Sequence, residues 1–346
     1  MNFGFGLKTL NPESAVLTLI QYRVSLMYLN AQQLADALPW DALMDALSDI
    51  FTRTVYSPVR HHHKIEVPGD PAAMLLLMPA WIEGEYLGVK QVTVFPGNNA
   101  KGQPGLSSHY LLSCAKTGVP LGQFDGNELT ARRTAAASAL ASRYLSRANS
   151  KRLLMVGAGR MGRYLVSAHR SVRDLQEVLV YDLNIEAAKA FASDLRAQGL
   201  QAQAVTLQDL PTAVAAADII SCATLATEPV IKGQWLQPGV HLDLVGSFTP
   251  VMREVDDDVV ARCSIFVDTR EGALAETGDL IQPIRNGVIT ENGVIAEFSQ
   301  LCAGKHAGRS ALKDSGQAMT MFKSVGASIE DLAAAILAYQ RTSTAH

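Results

Sequence analysis

The sequence is poor in cysteine and has no long apolar run. Its four cysteines lie far apart, without a CxxC pair, so the sequence predicts neither a zinc site nor a disulfide framework. This use of cysteine fits a reducing, cytoplasmic compartment. No apolar run reaches the roughly 18–20 residues that cross a membrane, and the N-terminus lacks the long apolar segment and cleavage site of a signal peptide. We therefore expect a cytoplasmic protein with no membrane partner.

An excess of charge is also missing. The chain has 30 Lys and Arg against 33 Asp and Glu, a net charge of −3, which gives no reason to expect a nucleic-acid partner. The cluster His61-His62-His63 lies in a strand-like stretch, where at most two of the three side chains share a face. No acidic residue or cysteine joins them at ligand spacing, so we expect no metal site.

Length and apolar content are present in ordinary amounts. With 346 residues, of which 48% are hydrophobic, the chain is long enough for two domains that each bury a core. The opening region predicts helices within Asn30–Arg53 and then a mostly antiparallel sheet, which makes it an α+β domain. Strands and helices then alternate as far as Asp268, which predicts a parallel α/β sheet. Two further helices are predicted at Asp314–Val325 and Ile329–Arg341.

A strand, a glycine turn, a helix and a second strand occupy Lys151–Asp182. Gly157 permits a tight turn, Gly159 lets a pyrophosphate approach the backbone, and Gly162 lets the helix pack closely on the strand. The helix N-terminus offers unpaired N–H groups to phosphates. Asp182 lies 20 residues beyond Gly162, where a carboxylate accepts hydrogen bonds from an adenosine ribose. The pattern predicts a dinucleotide site; the alternative is a plain βαβ turn.

Three cations stand out, and one of them, Lys90, lies where a solvated lysine is not expected. Arg60 follows a short loop, Lys90 lies inside an apolar run, and Arg133 lies at the start of a long alanine-rich helix. A buried cation needs an anionic partner, because an unpaired buried charge is costly. The partner is either a structural carboxylate or the substrate of a dinucleotide enzyme.

Several motifs in the same order resemble the ornithine cyclodeaminase/mu-crystallin family from about Met27 to Arg341. They are Leu77–Trp81, Gly88–Lys90, Leu129–Ala135, Val156–Gly162, Gly239–Pro250 with Arg253-Glu254, and Phe322–Gly326. The resemblance implies an α/β fold with a Rossmann domain, residues 131–317, and a substrate-binding and dimerisation domain from both chain ends, residues 27–130 and 318–346. It also implies a homodimer. Residues 1–26 are expected to be an extension that adds nothing to activity.

The resemblance also implies roles for individual residues. Lys90 is the expected catalytic residue. The substrate carboxylate is expected to bind Arg60, Lys90 and Arg133, with Val325 beside it. The expected cofactor-binding residues are Arg133, Thr134, Gly157, Ala158, Gly159, Arg160, Met161, Gly162, Asp182, Thr224, Asp243, Val245, Gly246 and Ser324.

Two departures distinguish the chain from cyclodeaminases. Cyclodeaminases carry a catalytic Asp where this chain has Phe248, and an acid before Met-Pro where it has Leu75-Leu76-Leu77. Neither phenylalanine nor leucine can take up a proton or orient an amine. The sequence Ser247–Pro250 is similar to that of the family's ketimine reductases.

The function that this resemblance implies is NAD(P)H-dependent reduction of small cyclic imino acids. Δ1-pyrroline-2-carboxylate would give L-proline, and Δ1-piperideine-2-carboxylate would give L-pipecolate. Lys90, with its pKa lowered by neighbouring cations, would donate the proton. Asp182 favours NAD(H), and use of NADP(H) is left open. The alternatives are an ornithine cyclodeaminase, an alanine dehydrogenase, or a non-catalytic binding protein of the mu-crystallin type.

Overall fold

The structure is a computed structural model that describes residues 26–343. The predicted N-terminal extension, residues 1–26, therefore lies outside the described residues except for Leu26. The described part of the chain contains no helix that is long and apolar enough to span a membrane.

A six-stranded sheet forms the first part of the molecule, in the order β1-β6-β5-β4-β3-β2. Neighbouring strands are antiparallel, apart from β1, which runs parallel to β6. The mostly antiparallel sheet predicted for this region is therefore present. Its strands are β1 (Met27–Leu29), β2 (His61–Ile65), β3 (Ala73–Ile82), β4 (Tyr86–Val94), β5 (Leu106–Cys114) and β6 (Pro120–Asp125).

An eight-stranded parallel sheet forms the second part, in the order β13-β12-β14-β11-β10-β7-β8-β9. The direction of winding reverses between β7 and β10, and ligands of such sheets bind at the carboxyl ends of the strands at this point. The predicted Rossmann-type α/β fold is confirmed. The strands are β7 (Arg152–Val156), β8 (Glu177–Tyr181), β9 (Gln201–Val205), β10 (Ile219–Cys222), β11 (His241–Leu244), β12 (Ser264–Val267), β13 (Val294–Glu297) and β14 (Thr320–Lys323).

The helices cover both sheets. One long, alanine-rich helix, α3, joins them and is buried along most of its length, because small side chains let its neighbours approach from several sides. The helices are α1 (Ala31–Ala37), α2 (Trp40–Ile50), α3 (Gly126–Leu145), α4 (Arg160–Val172), α5 (Ile185–Ala197), α6 (Leu210–Ala216), α7 (Asp257–Arg262), α8 (Arg270–Glu276), α9 (Gly278–Arg285), α10 (Phe298–Cys302) and α11 (Ser328–Ser343).

The helix predicted at Asp314–Val325 is wrong. Thr320–Lys323 forms strand β14, which pairs with β11 on one side and β12 on the other. All four residues are buried, and a buried run of only four residues has no period that distinguishes a strand from a helix turn. The chain therefore returns to the six-stranded sheet at α11, which packs on β3 and β4. This return comes at residue 328 and not at residue 318.

Candidate active site

The glycine turn after β7 has the geometry that a dinucleotide needs. Gly157 has a φ of +109°, and a Cβ there would lie 2.6 Å from the Ala223 carbonyl oxygen. A Cβ on Gly162 would lie 2.4 Å from the carbonyl oxygen of Gly157, whereas a Cβ on Gly159 would meet nothing within 4 Å. Packing therefore requires glycine at positions 157 and 162. Gly159 instead leaves open space beside the N-terminus of α4. Open space at this position fits an approaching pyrophosphate.

Asp182 directly follows β8 and holds the glycine turn. One carboxylate oxygen accepts a 2.8 Å hydrogen bond from the Ala158 backbone N–H, and the other accepts one of 2.8 Å from that of Asn184. Each oxygen keeps a lone pair, and the residue is only half-buried. The carboxylate can therefore still accept hydrogen bonds from ribose hydroxyls.

The loops after β10 and β11 are joined by a carboxylate that was not predicted. Glu254 accepts hydrogen bonds from the backbone N–H and hydroxyl of Thr224, at 2.8 and 3.0 Å, and from the Gly246 N–H at 2.8 Å. Behind it, the buried Lys323 ammonium lies 3.3 Å from Asp279 and 3.9 Å from Glu254. This buried cluster fixes Thr224 and Gly246, two of the predicted cofactor-binding residues, at the winding switch point.

Asp243 does not lie in the cleft. Its side chain is fully buried and accepts hydrogen bonds from Ser221, at 2.7 Å, and from His169, at 3.1 Å. Since side chains alternate along β11, this one points towards the helices. The Asp243 side chain therefore lies away from the cleft, and the cofactor-binding role of this residue stays a prediction. The chain Asp243–His169–Ser142 is similar in composition to a hydrolytic triad, but it is sealed from solvent.

Lys90 and Arg133 meet in a buried cluster of charges. The Lys90 ammonium lies 2.7 Å from one oxygen of Asp331, and the Arg133 Nε donates to the other oxygen at 2.8 Å. The Arg133 Nη1 donates to Glu330 at 2.6 Å. Both acids lie in the first turn of α11, so two cations of the first sheet region are held by the N-terminus of the last helix.

Burial and neighbouring charges shift the pKa values in this cluster. The pKa of Lys90 is lowered to about 8, chiefly by burial, and then by Arg133 and Arg60 against the opposing effect of Asp331. Burial raises the pKa of Glu330 to about 7 although Arg133 opposes it. Burial alone would also raise the pKa of Asp331, but Arg133 and Lys90 hold it below its ordinary value. Lys90 is therefore protonated at neutral pH and close to releasing its proton.

Arg60 lies on the other side of Gly326 from Arg133. It donates to the Gly326 carbonyl oxygen at 3.3 Å and to Glu276 at 2.9 Å, and a Cβ on Gly326 would lie 2.5 Å from the Arg133 Nη1. Arg60 and Glu276 line a cavity of about 410 Å³ together with Met78, Thr269 and Ser328. The structure thus brings the three predicted cations to one place.

Asp268 shapes the backbone that follows β14. It accepts hydrogen bonds from the N–H groups of Val325 and Gly326, at 2.8 and 2.7 Å, and from the Ser324 hydroxyl at 3.2 Å. Burial raises the pKa of Asp268, although these donors oppose the shift. Ser324, predicted to bind the cofactor, therefore turns its hydroxyl towards Asp268, and Val325, predicted beside the substrate, is partly buried.

A sequence comparison decides the family. The model of the ornithine cyclodeaminase/mu-crystallin family matches residues 25–346. The chain belongs to this family. The family recognised from the sequence motifs is confirmed.

Relatives and solved structures are similar over almost the whole chain. An uncharacterized protein of Schizosaccharomyces pombe is 50% identical over 91% of this chain and 97% of its own. The Δ1-pyrroline-2-carboxylate reductase of Colwellia psychrerythraea is 35% identical over 89% of this chain and 96% of its own.

Two solved structures share the fold. The Δ1-pyrroline-2-carboxylate reductase of Thermococcus litoralis, in complex with NADH and L-proline, is 34% identical, has a TM-score of 0.83, and aligns over 92% of this chain and 98% of its own. An archaeal alanine dehydrogenase dimer with bound NAD is 29% identical and has a TM-score of 0.82. It aligns over 92% of this chain and 97% of its own.

The remaining predicted residues of this family member differ in their exposure to solvent. Arg160 is exposed and pairs with Glu128 at 3.1 Å. Met161 is partly buried, and Thr134 is buried in α3. Val245, partly buried, precedes Gly246 in the loop after β11.

His61, His62 and His63 are all exposed on the edge strand β2, and no cluster of three or more metal-binding side chains occurs within residues 26–343.

Sequence analysis of this family member missed the acidic residues of the site. Glu330 and Asp331 lie four and five residues beyond the end of the recognised Phe322–Gly326 motif, but acids in a first helical turn are usually solvated. Their burial is visible only once α11 is packed on the first sheet. Glu276 and Asp268 gave no sequence signal.

Proposed function

We propose that the chain is an NAD(P)H-dependent reductase of cyclic ketimino acids. It converts Δ1-pyrroline-2-carboxylate to L-proline and Δ1-piperideine-2-carboxylate to L-pipecolate. The observation that carries the proposal is the cluster of Lys90, Arg133 and Arg60, in a chain that also has a dinucleotide turn. Named reductases of the first of these substrates are 34–39% identical to the chain.

The substrate carboxylate binds between Arg133 and Arg60. The two guanidinium groups flank Gly326, and Arg60 faces the cavity. Guanidinium groups suit this task because they present several N–H donors in one plane. Fixing the carboxylate also fixes the imine ring, and such positioning supplies much of the rate acceleration.

Lys90 supplies the proton. Reduction of C=N adds a hydride to carbon and a proton to nitrogen. A pKa of about 8 leaves the ammonium charged at neutral pH but makes it a better acid than an exposed lysine. Asp331 holds the Lys90 ammonium in place at 2.7 Å.

The dinucleotide binds at the glycine turn and the carboxyl ends of β7, β10 and β11. Gly157, Gly159 and Gly162 shape the phosphate site, and Asp182 receives the ribose. When bound, NADH supplies the hydride. Because the Asp182 carboxylate repels a 2′-phosphate, NADH is used at least as well as NADPH.

Phe248 argues against ornithine as substrate. Its side chain is 46% exposed, and it stands where a cyclodeaminase needs an acid. No proton transfer to or from an amine is possible at a phenyl ring.

Two copies of the chain associate through the six-stranded sheet. One face of this sheet carries α3 and α11, whereas the other has no covering element among residues 26–343. Its outward side chains include Leu77, Trp81, Leu87, Val89 and Leu111, the last 42% exposed. A large uncovered apolar face marks an interaction surface. The same face of a second copy is also apolar and covers it.

Oxidation of NADH in the presence of candidate substrates tests the function. Both cyclic imines should be reduced, with L-proline and L-pipecolate as products identified by mass spectrometry. Pyruvate plus ammonia tests for alanine dehydrogenase activity, and ammonia release from ornithine tests for cyclodeaminase activity. Turnover of ornithine by the wild type, or cofactor binding without turnover of any imine, would overturn the proposal.

A further inference from the structure

Glu330 is a sealed carboxyl group with an incomplete set of partners. It is fully buried. Its Oε2 accepts from Arg133 at 2.6 Å, while its Oε1 is buried without a hydrogen-bond partner. A buried carboxylate in this condition is unfavourable. The proposed reaction has not yet given this group a role.

The charges that face Glu330 come from four elements. They are Arg133 from α3, Asp331 from its own helix α11, Asp268 from the end of β12, and Lys90 from β4 through Asp331. Arg60 lies beyond Gly326 and is matched by Glu276. With both Glu330 and Asp331 ionised, Arg133 and Lys90 are already neutralised. An incoming carboxylate would then enter a cluster with no net positive charge.

We propose that Glu330 competes with the substrate carboxylate for Arg133, so that Glu330 takes up a proton when the carboxylate binds. A proton on Glu330 removes one negative charge and leaves Arg133 free to receive the substrate. Glu330 is a positioning residue, because it acts on the substrate through Arg133. The inference rests on the proposed function, which supplies the carboxylate.

The linkage has a definite sign. The pKa of Glu330, about 7 in the free protein, must rise when a second carboxylate shares Arg133. Carboxylate binding is therefore strongest well below pH 7, and it weakens by up to about tenfold per pH unit above pH 7. Deprotonation of Lys90 weakens binding further only above about pH 8.

Calorimetry with pyrrole-2-carboxylate and the NADH-bound protein measures this proton directly. The probe is a planar ring carboxylate whose ring nitrogen does not titrate near neutrality, so it contributes no proton. Binding is measured at pH 7 in buffers of different ionisation enthalpy. The wild type should take up about half a proton per carboxylate bound, since a group with a pKa of about 7 is half ionised there.

Glu330→Gln should abolish the uptake at pH 7 and make probe affinity independent of pH between about 6 and 7.5, as expected when the linked group is removed. Glu177→Gln is the matched control. Glu177 also pairs with an arginine, Arg152, but it begins β8 and so lies at the amino ends of the parallel strands, away from their carboxyl ends, so this variant should keep the wild-type uptake.

Each outcome separates the inference from the function. Probe binding by the wild type without proton uptake overturns the competition even if Glu330→Gln fails to fold. Uptake that persists in Glu330→Gln assigns the proton to another group and also overturns it. Neither result touches the reductase, because imine turnover is assayed independently, and only its absence contradicts the proposed function.

Discussion

In the structure Lys90 pairs with the Asp331 carboxylate. A structural ion pair of this kind is the alternative to a substrate contact for a lysine in an apolar strand. The pair with Asp331 does not exclude catalysis, since Asp331 also contacts Arg133 and holds both cations at the site. The two roles differ in what the loss of Lys90 does to turnover.

Lys90→Ala should lower kcat for imine reduction by about 10²- to 10⁴-fold, because a positioned general acid contributes this much. Steady-state kinetics on variants with measured Tm values provides the test. For the wild type, the rate should fall as pH rises above about 8, where the ammonium loses its proton. Near-normal kcat in a folded Lys90→Ala protein would reduce Lys90 to a structural role.

The two arginines should respond differently to loss of charge. Arg60→Met should raise KM by roughly 30-fold, about 2 kcal/mol for a lost carboxylate contact, with little change in Tm, because Glu276 is partly exposed. Arg133→Met should also lower the free energy of unfolding by about 3–5 kcal/mol, because the buried Glu330 loses its partner and the buried Asp331 is left with Lys90 alone of its two cations. Thermal unfolding and KM measured on both variants distinguish these roles. Equal loss of stability in the two would contradict the difference in burial.

At the scale of the element, the turn and helix that follow β7 contain two kinds of glycine. Gly162→Ala should destabilise the fold, since its Cβ would lie 2.4 Å from a backbone oxygen that cannot move away easily. Gly159→Ala meets open space, so the variant should fold normally but bind NADH more weakly, where a phosphate approaches. Tm and the dissociation constant for NADH are the readouts. If Gly159→Ala binds NADH with wild-type affinity, the assignment of a phosphate site beside residue 159 is wrong.

Long or strongly patterned elements were predictable, and short buried ones were not. The glycine turn, α3 and β4 follow from local sequence because periodicity and turn residues specify them. β14 does not, since four buried residues carry no readable period. Asp243 was assigned to the cofactor because its neighbours match a motif, but strand alternation turns its side chain away. The partners Glu330 and Asp331 depend on contacts between chain ends.

The whole molecule is predicted to be a dimer through the open face of the six-stranded sheet. Val89→Arg places a charge in the middle of that face, opposite Leu111, and should shift the protein to a monomer in light scattering. Gln201→Arg, at an exposed position of edge strand β9, is the control and should leave the mass unchanged. A monomeric wild type would refute the assembly, and a dimeric Val89→Arg would move the interface elsewhere.

The central position of β14 has a consequence for synthesis. A ribosome finishes β7 to β11 long before it reaches Thr320, yet β12 and β13 join this sheet only through β14. The six-stranded sheet likewise lacks part of its helical covering until α11 emerges. Neither half of the nascent chain can close its core until residues 320–343 have been synthesised, so apolar surface stays exposed meanwhile. Premature termination shortly before Thr320 should therefore yield an aggregating client of chaperones, with neither half left as a folded fragment.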